Sequence, residues 1–146
     1  MKKVYLATPV GDPTDFEIRD NAEEAAEILQ GLGFDVYCPW KMKIPHAWDY
    51  TNQEWGLMVF SADIQELQKC DIVVVLSYGR VSTCGTAWEQ GFAYAQGKCI
   101  IVVEVNDDIQ SLMISNGCYA RVDGLGELKN YDFEEMPKWR TNTEQK

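Results

Sequence analysis

One apolar run constrains this chain more than any other feature. Asp71-Ile72-Val73-Val74-Val75-Leu76-Ser77 is continuous and β-branched, the mark of a strand covered on both faces inside a parallel sheet. Parallel neighbours need long crossovers, usually helical, and the remaining sequence supplies them in alternation. Lys3–Thr8 reads as a first strand, ended by Pro9 and by the turn residues Gly11-Asp12-Pro13. Thr14 or Asp15 is placed to cap a helix whose apolar positions, Ala22, Ala25, Ala26, Leu29 and Leu32, recur at three and four, with Gly31 and Gly33 stopping it. Phe34–Cys38 is a second strand, closed by Pro39, and an irregular stretch from Trp40 to Trp48 follows. A long helix over about Asp49–Lys69, with Trp55, Val59, Ile64 and Leu67 on one side, leads to the central strand. After the loop Tyr78–Thr83 come a helix from Cys84 to about Gln96, ended by Gly97, and a fourth strand, Lys98–Glu104. A short helix over about Asp107–Ile114 and a fifth strand, Cys118–Val122, complete the pattern. The segment after Asn130 is acidic and aromatic and shows no clear period.

Repeated strand–helix–strand units predict an α/β fold with an open parallel sheet and right-handed crossovers. The chain has 146 residues, the size of a single domain spanning 1–146 and able to bury roughly two-thirds of its unfolded surface. Ligands in such sheets sit beyond the carboxyl ends of the strands, which points to the loops after Thr8, Cys38, Ser77 and Glu104.

Thirteen Lys and Arg against 23 Asp and Glu give a net charge of −10. That surface repels a phosphate backbone, so a nucleic-acid partner is not expected, although a small nucleotide in a local pocket is compatible with it. The five cysteines, Cys38, Cys70, Cys84, Cys99 and Cys118, form no C-x-x-C pair and stand mostly in or beside apolar runs, as small core residues do. No stretch approaches the length of a membrane span. A cytoplasmic location with reduced thiols is the expectation.

The segment with most chemical content runs from Ser82 to Lys98. Gly85 and Ala93 flank Glu89 at i−4 and i+4, on its own helical face. A carboxylate between small neighbours is open to close approach by a ligand; equally, the small residues let the helix press on the sheet while Glu89 faces water. The glycine spacing is neither a P-loop nor G-x-G-x-x-G. Asp63 lies on the long helix before the central strand, and Tyr5 is the one polar-tipped side chain in the first strand's apolar run. The single histidine, His46, has no second histidine to join it in a metal site, so no metal is expected. Ser–His–Asp and Cys–His catalysis would rest on that one loop residue. Carboxylate chemistry is therefore the reading of choice.

Three features together resemble the nucleoside 2-deoxyribosyltransferase family. They are Tyr5 in the first strand, Asp63 eight residues ahead of Asp71-Ile72-Val73-Val74-Val75, and Gly85-Thr86-Ala87-Trp88-Glu89-Gln90-Gly91-Phe92-Ala93 followed by Gly97-Lys98. Ser111-Leu112-Met113 falls where that family carries Asn-Leu-Met, and Leu128–Phe133 is similar to its C-terminal part. The resemblance implies a flavodoxin-like, doubly wound five-stranded parallel sheet with helices on both faces. It also implies transfer of 2-deoxyribose between nucleobases by double displacement, without metal or organic cofactor. On that likeness Glu89 is the nucleophile, Tyr5 orients it, and Asp63 exchanges a proton with the base. Thr83, Gly85, Ser111 and Met113 stand at substrate-binding positions. A homodimer or larger homo-oligomer is implied, because the residue at position 111 serves the neighbouring subunit's site.

Two positions depart from the transferase pattern. Thr83, six residues before Glu89, replaces an Asp that binds sugar hydroxyls, and Ser111 replaces the family Asn. Hydroxyl residues there resemble the related deoxynucleoside 5′-monophosphate N-glycosidases, since a hydroxyl can donate to a phosphate oxygen that an Asp would repel. Arg19 or Arg80 would supply positive charge. Three readings therefore stand: a deoxyribosyltransferase, a nucleotide N-glycosidase releasing base and sugar phosphate, and a non-catalytic nucleotide-binding module. Trp48, Trp55 and Met58 are candidates for a subunit interface or a base-stacking pocket, with core packing the plainer role for two of the three.

Overall fold

The structure is a computed structural model that describes residues 1–9, 14–79, 84–106 and 111–134. Five strands, β1 (Lys3–Ala7), β2 (Asp35–Tyr37), β3 (Ile72–Ser77), β4 (Cys99–Glu104) and β5 (Ala120–Asp123), form one sheet in the order β2-β1-β3-β4-β5. Every pairing is parallel, which is the flavodoxin-like order. β3 sits at the centre, and all six of its residues are buried. Its unbroken β-branched run is what a strand covered on both faces requires.

Among the described residues, five α-helices provide the layers: α1 (Phe16–Gly31), α2 (Asn52–Lys69), α3 (Cys84–Ala95), α4 (Leu112–Asn116) and α5 (Gly124–Asn130). Asp15 caps α1 by accepting from the Ile18 amide at 3.2 Å. Ala22, Ala25, Ala26 and Leu29 are the face α1 buries, and three alanines let the helix lie close against the sheet. α1 and α3 end alike. Gly33 and Gly97 adopt φ values of 94° and 72°, and the amides of Phe34 and Lys98 return to the carbonyls of Leu29 and Ala93 at 3.2 and 3.0 Å. Glycine reaches that left-handed geometry without a Cβ penalty.

Alternation along β1 divides the core. Val4 and Leu6 join Val74, Leu76, Ile101 and Val103 on one face, packed with α1 and α5 residues such as Leu29 and Leu128. Tyr5 and Ala7 join Val73, Val75, Ile100 and Val102 on the other, with Leu67 of α2 and Ala93 of α3.

Most sequence-predicted elements are present with shifted ends. The long helix begins at Asn52 rather than near Asp49, because Thr51 and Glu54 form a reciprocal capping box there. The stretch before it contains two short 3-10 turns, Pro39–Lys41 and Ala47–Asp49. The short helix lies at Leu112–Asn116, while the expected start near Asp107 falls outside the described residues. α5 was not anticipated. Its two glycines disfavour a helix, yet Leu128 is fully buried against the α1 side of the core and holds the helix there.

Candidate active site

Cross-strand register builds the first half of the site. Tyr5 of β1 pairs with Tyr37 of β2, so both side chains emerge from the same face of the sheet. Their rings lie 5.4 Å apart, tilted by 33°. The helices above that face deliver two carboxylates. Tyr5 donates its hydroxyl hydrogen bond to Glu89 Oε2 on α3, and Tyr37 donates to Asp63 Oδ1 on α2 at 3.0 Å. Two tyrosine–carboxylate pairs thus stand side by side under α2 and α3.

Burial sets the electrostatics. Desolvation disfavours the charged form of a carboxyl, and it pushes Glu89 up to about 7; the Tyr5 hydrogen bond opposes that rise and the nearby Asp63 charge adds to it. Asp63 is also raised by burial, with the Tyr37 hydrogen bond pulling the other way. Both phenols are held far above their ordinary range, by burial first and then, respectively, by Glu89 and Asp63. They therefore act as fixed donors at any physiological pH. A pair of carboxyls whose titrations are displaced toward neutrality, each with a dedicated donor, is suited to acid–base and nucleophilic work.

The structure brings together Tyr5, Asp63 and Glu89 among the residues singled out by sequence. An outward-facing Glu89 is ruled out: the side chain is partly buried and tied to a fully buried tyrosine. Of its small neighbours, Ala93 packs into the core, and Gly85 opens the first turn of α3, where no described atom would crowd a Cβ. Thr83 and Arg80 lie outside the described residues. Ser111 immediately precedes α4 and its side chain makes no cap hydrogen bond. Met113, like Leu112, stands out from the surface, 81% exposed. The loops expected around the site after Thr8, Ser77 and Glu104 include 10–13, 80–83 and 107–110, which are likewise not described.

Two residues escaped the sequence reading. Tyr37 looks like core in a short strand, and only its register with Tyr5 reveals its place. Gln90, 2% exposed, donates from its amide to the carbonyls of Ile114 and Gly117 at 2.8 and 2.9 Å. It fastens the Ser111-bearing segment to the helix that carries Glu89. The core role weighed for the tryptophans does not hold, since Trp48 and Trp55 are both exposed. Trp48 meets His46 edge-on instead. A run of aromatics, Phe60, Trp88 and Phe92, crosses α2 and α3, with successive ring centroids 5.5 Å apart. Among the described residues there is no group of metal-ligating side chains, and no helix is long and apolar enough to cross a membrane.

Comparison with known proteins identifies the family. The family model described as nucleoside 2-deoxyribosyltransferase matches residues 4–135. Among solved structures, a 2-deoxyribosyltransferase from Bacillus psychrosaccharolyticus superposes with a TM-score of 0.82 at 29% identity, covering 92% of this chain and 96% of that one. The CMP N-glycosidase of Clostridium botulinum gives a TM-score of 0.61 at 18% identity over 88% and 96% of the two chains. A 2-deoxyribosyltransferase from Leishmania mexicana gives 0.55 at 20% over 86% and 77%. At those two lower identities the likeness is one of fold. By sequence, no match is found among curated proteins.

Proposed function

Because this chain belongs to the nucleoside 2-deoxyribosyltransferase family, we propose that it transfers 2-deoxyribose between nucleobases through a glycosyl ester on Glu89. The observation that carries this reading is the Tyr5–Glu89 pair beside Asp63. Tyr5 occupies Oε2, which leaves Oε1 to attack. As the bond from C1′ to the base nitrogen weakens, positive charge develops on the sugar, and an adjacent carboxylate both stabilises and captures it. The bonding electron pair leaves with the base, and the Asp63 proton goes to that base. In the second half, Asp63 takes a proton from the incoming base, whose nitrogen bonds C1′ and releases the Glu89 carboxylate. These steps call on no metal or organic cofactor. Gly85 would leave room for the substrate at the start of α3, and Thr83 would contribute its hydroxyl to substrate binding. Ser111 and Met113 would complete the site of a second copy, and the exposed aromatics of α2 and α3 are in keeping with a homodimer or larger assembly.

A nucleotide N-glycosidase is the second reading, favoured by the hydroxyl residues Thr83 and Ser111 at the departing positions. Product analysis separates the two. The protein is offered thymidine with free adenine, then a deoxynucleoside 5′-monophosphate alone. Deoxyadenosine formation is the expected result; base release from the phosphorylated substrate only would replace transfer with hydrolysis.

A further inference from the structure

We propose that Tyr37 is a positioning residue that assigns the two oxygens of Asp63, holding Oδ1 as acceptor so that the transferable proton is carried on Oδ2. The inference rests on the proton-exchange role given to Asp63 above and adds a residue that the sequence reading did not select. Its basis is geometric. Tyr37 ends β2 and is locked in register against Tyr5, with the two rings in contact. Its hydroxyl reaches Asp63 Oδ1 at 3.0 Å.

A phenol at that position keeps its proton, since burial and the facing Asp63 both oppose its loss. It can therefore only donate toward Asp63. A neutral carboxyl has one carbonyl oxygen and one hydroxyl oxygen, and the oxygen that accepts from a fixed donor is the carbonyl. Oδ1 is thus committed, and the acidic hydrogen resides on Oδ2, the oxygen left for the base. Without Tyr37 the proton could sit on either oxygen and the carboxyl could rotate, so a smaller share of encounters would be productive. Among the described residues, the other ionisable groups acting on the Tyr37–Asp63 pair are Glu89 on α3, Tyr5 on β1 and, toward Tyr37, Glu66 on α2. Of these, Tyr5 is already committed to Glu89. The contact between the two rings thus separates the donors: one serves the attacking carboxylate, the other the proton carrier.

Tyr37→Phe keeps the ring and its contact with Tyr5 and removes only the hydroxyl. In single-turnover base release from a 2′-deoxynucleoside, the chemical rate is expected to fall about 10-fold, with substrate affinity and melting temperature nearly unchanged. Made in the Asp63→Asn protein, the same substitution should change the rate less than about twofold, because residues acting through one another are not additive. In substrate-free protein, the carbon-13 resonance of the Asp63 carboxyl should titrate at higher pH once the hydroxyl is gone. A rate loss of equal size in both backgrounds, or an unmoved Asp63 titration, overturns the assignment. An unmodified protein that cleaves no nucleoside overturns the wider reading instead, and the Asp63 titration still decides whether Tyr37 holds that carboxyl.

Discussion

The two faces of the sheet are built from the same strands and do opposite things. Under α1 and α5, Val4, Leu6, Val74, Leu76, Ile101 and Val103 are buried at 3% exposure or less, and Leu29 and Leu128 close over them. Under α2 and α3, the strands present Tyr5 and Tyr37 among the valines, and the helices answer with Glu89 and Asp63. α2 has Leu67 as its one buried residue, whereas α1 has four. One face is packed for stability. The other gives up apolar contact to hold two carboxyls where burial opposes their ionisation. Because β1 contributes to both, a one-residue shift in its register would exchange the tyrosine for a leucine and erase the site.

The contrast is testable by substitutions that touch one face at a time. The largest effect belongs to Glu89→Ala, which should lower glycosyl transfer by about 10⁴-fold or more in steady-state assays while leaving a folded protein. Activity within tenfold of the parent would dissolve the functional half of the comparison. Leu6→Ala, one residue from Tyr5 and on the opposite face, should cost about 3 kcal/mol in denaturant unfolding and leave the rate per folded molecule nearly unchanged.

Glu89→Gln sharpens the comparison through pH. Glu89 titrates at about 7 instead of the ordinary 4.5, so the folded state holds the proton more tightly than the unfolded chain. The charged form is the disfavoured one, and the penalty is absent below pH 4.5 and grows as pH rises toward 7. An uncharged Gln avoids it. The variant should be more stable than the parent by about 2 kcal/mol at pH 8, after allowance for partial solvent exposure, and equal to it at pH 4. Equal stability of the two proteins at both values would mean that Glu89 is not held against ionisation.

What could be read from the sequence follows the same division. The apolar face was legible because burial on both sides writes itself as an unbroken run in β3 and as helical periodicity in α1. Tyr5, Asp63 and Glu89 were singled out through the family resemblance, because a phenol in an apolar strand, an acid on a helix and a carboxylate between small residues are each, alone, ordinary core or surface positions. Tyr37 was hidden, since a tyrosine in a three-residue strand is ordinary and only pairing with β1 gives it a partner. α5 was hidden by Gly124 and Gly126, whose preference for turns is overridden by the burial of Leu128. The start of α2 was available in principle, because Thr51 and Glu54 carry the S/T-x-x-E spacing of a capping box.

The most direct test of covalent catalysis by Glu89 is mass spectrometry of the protein quenched rapidly during reaction with a 2′-deoxynucleoside. The mechanism predicts an added 2-deoxyribosyl group, confined to the peptide containing Glu89, lost on adding a second base and absent from Glu89→Gln. Unmodified protein during active turnover, or a sugar attached to any other residue, would contradict it.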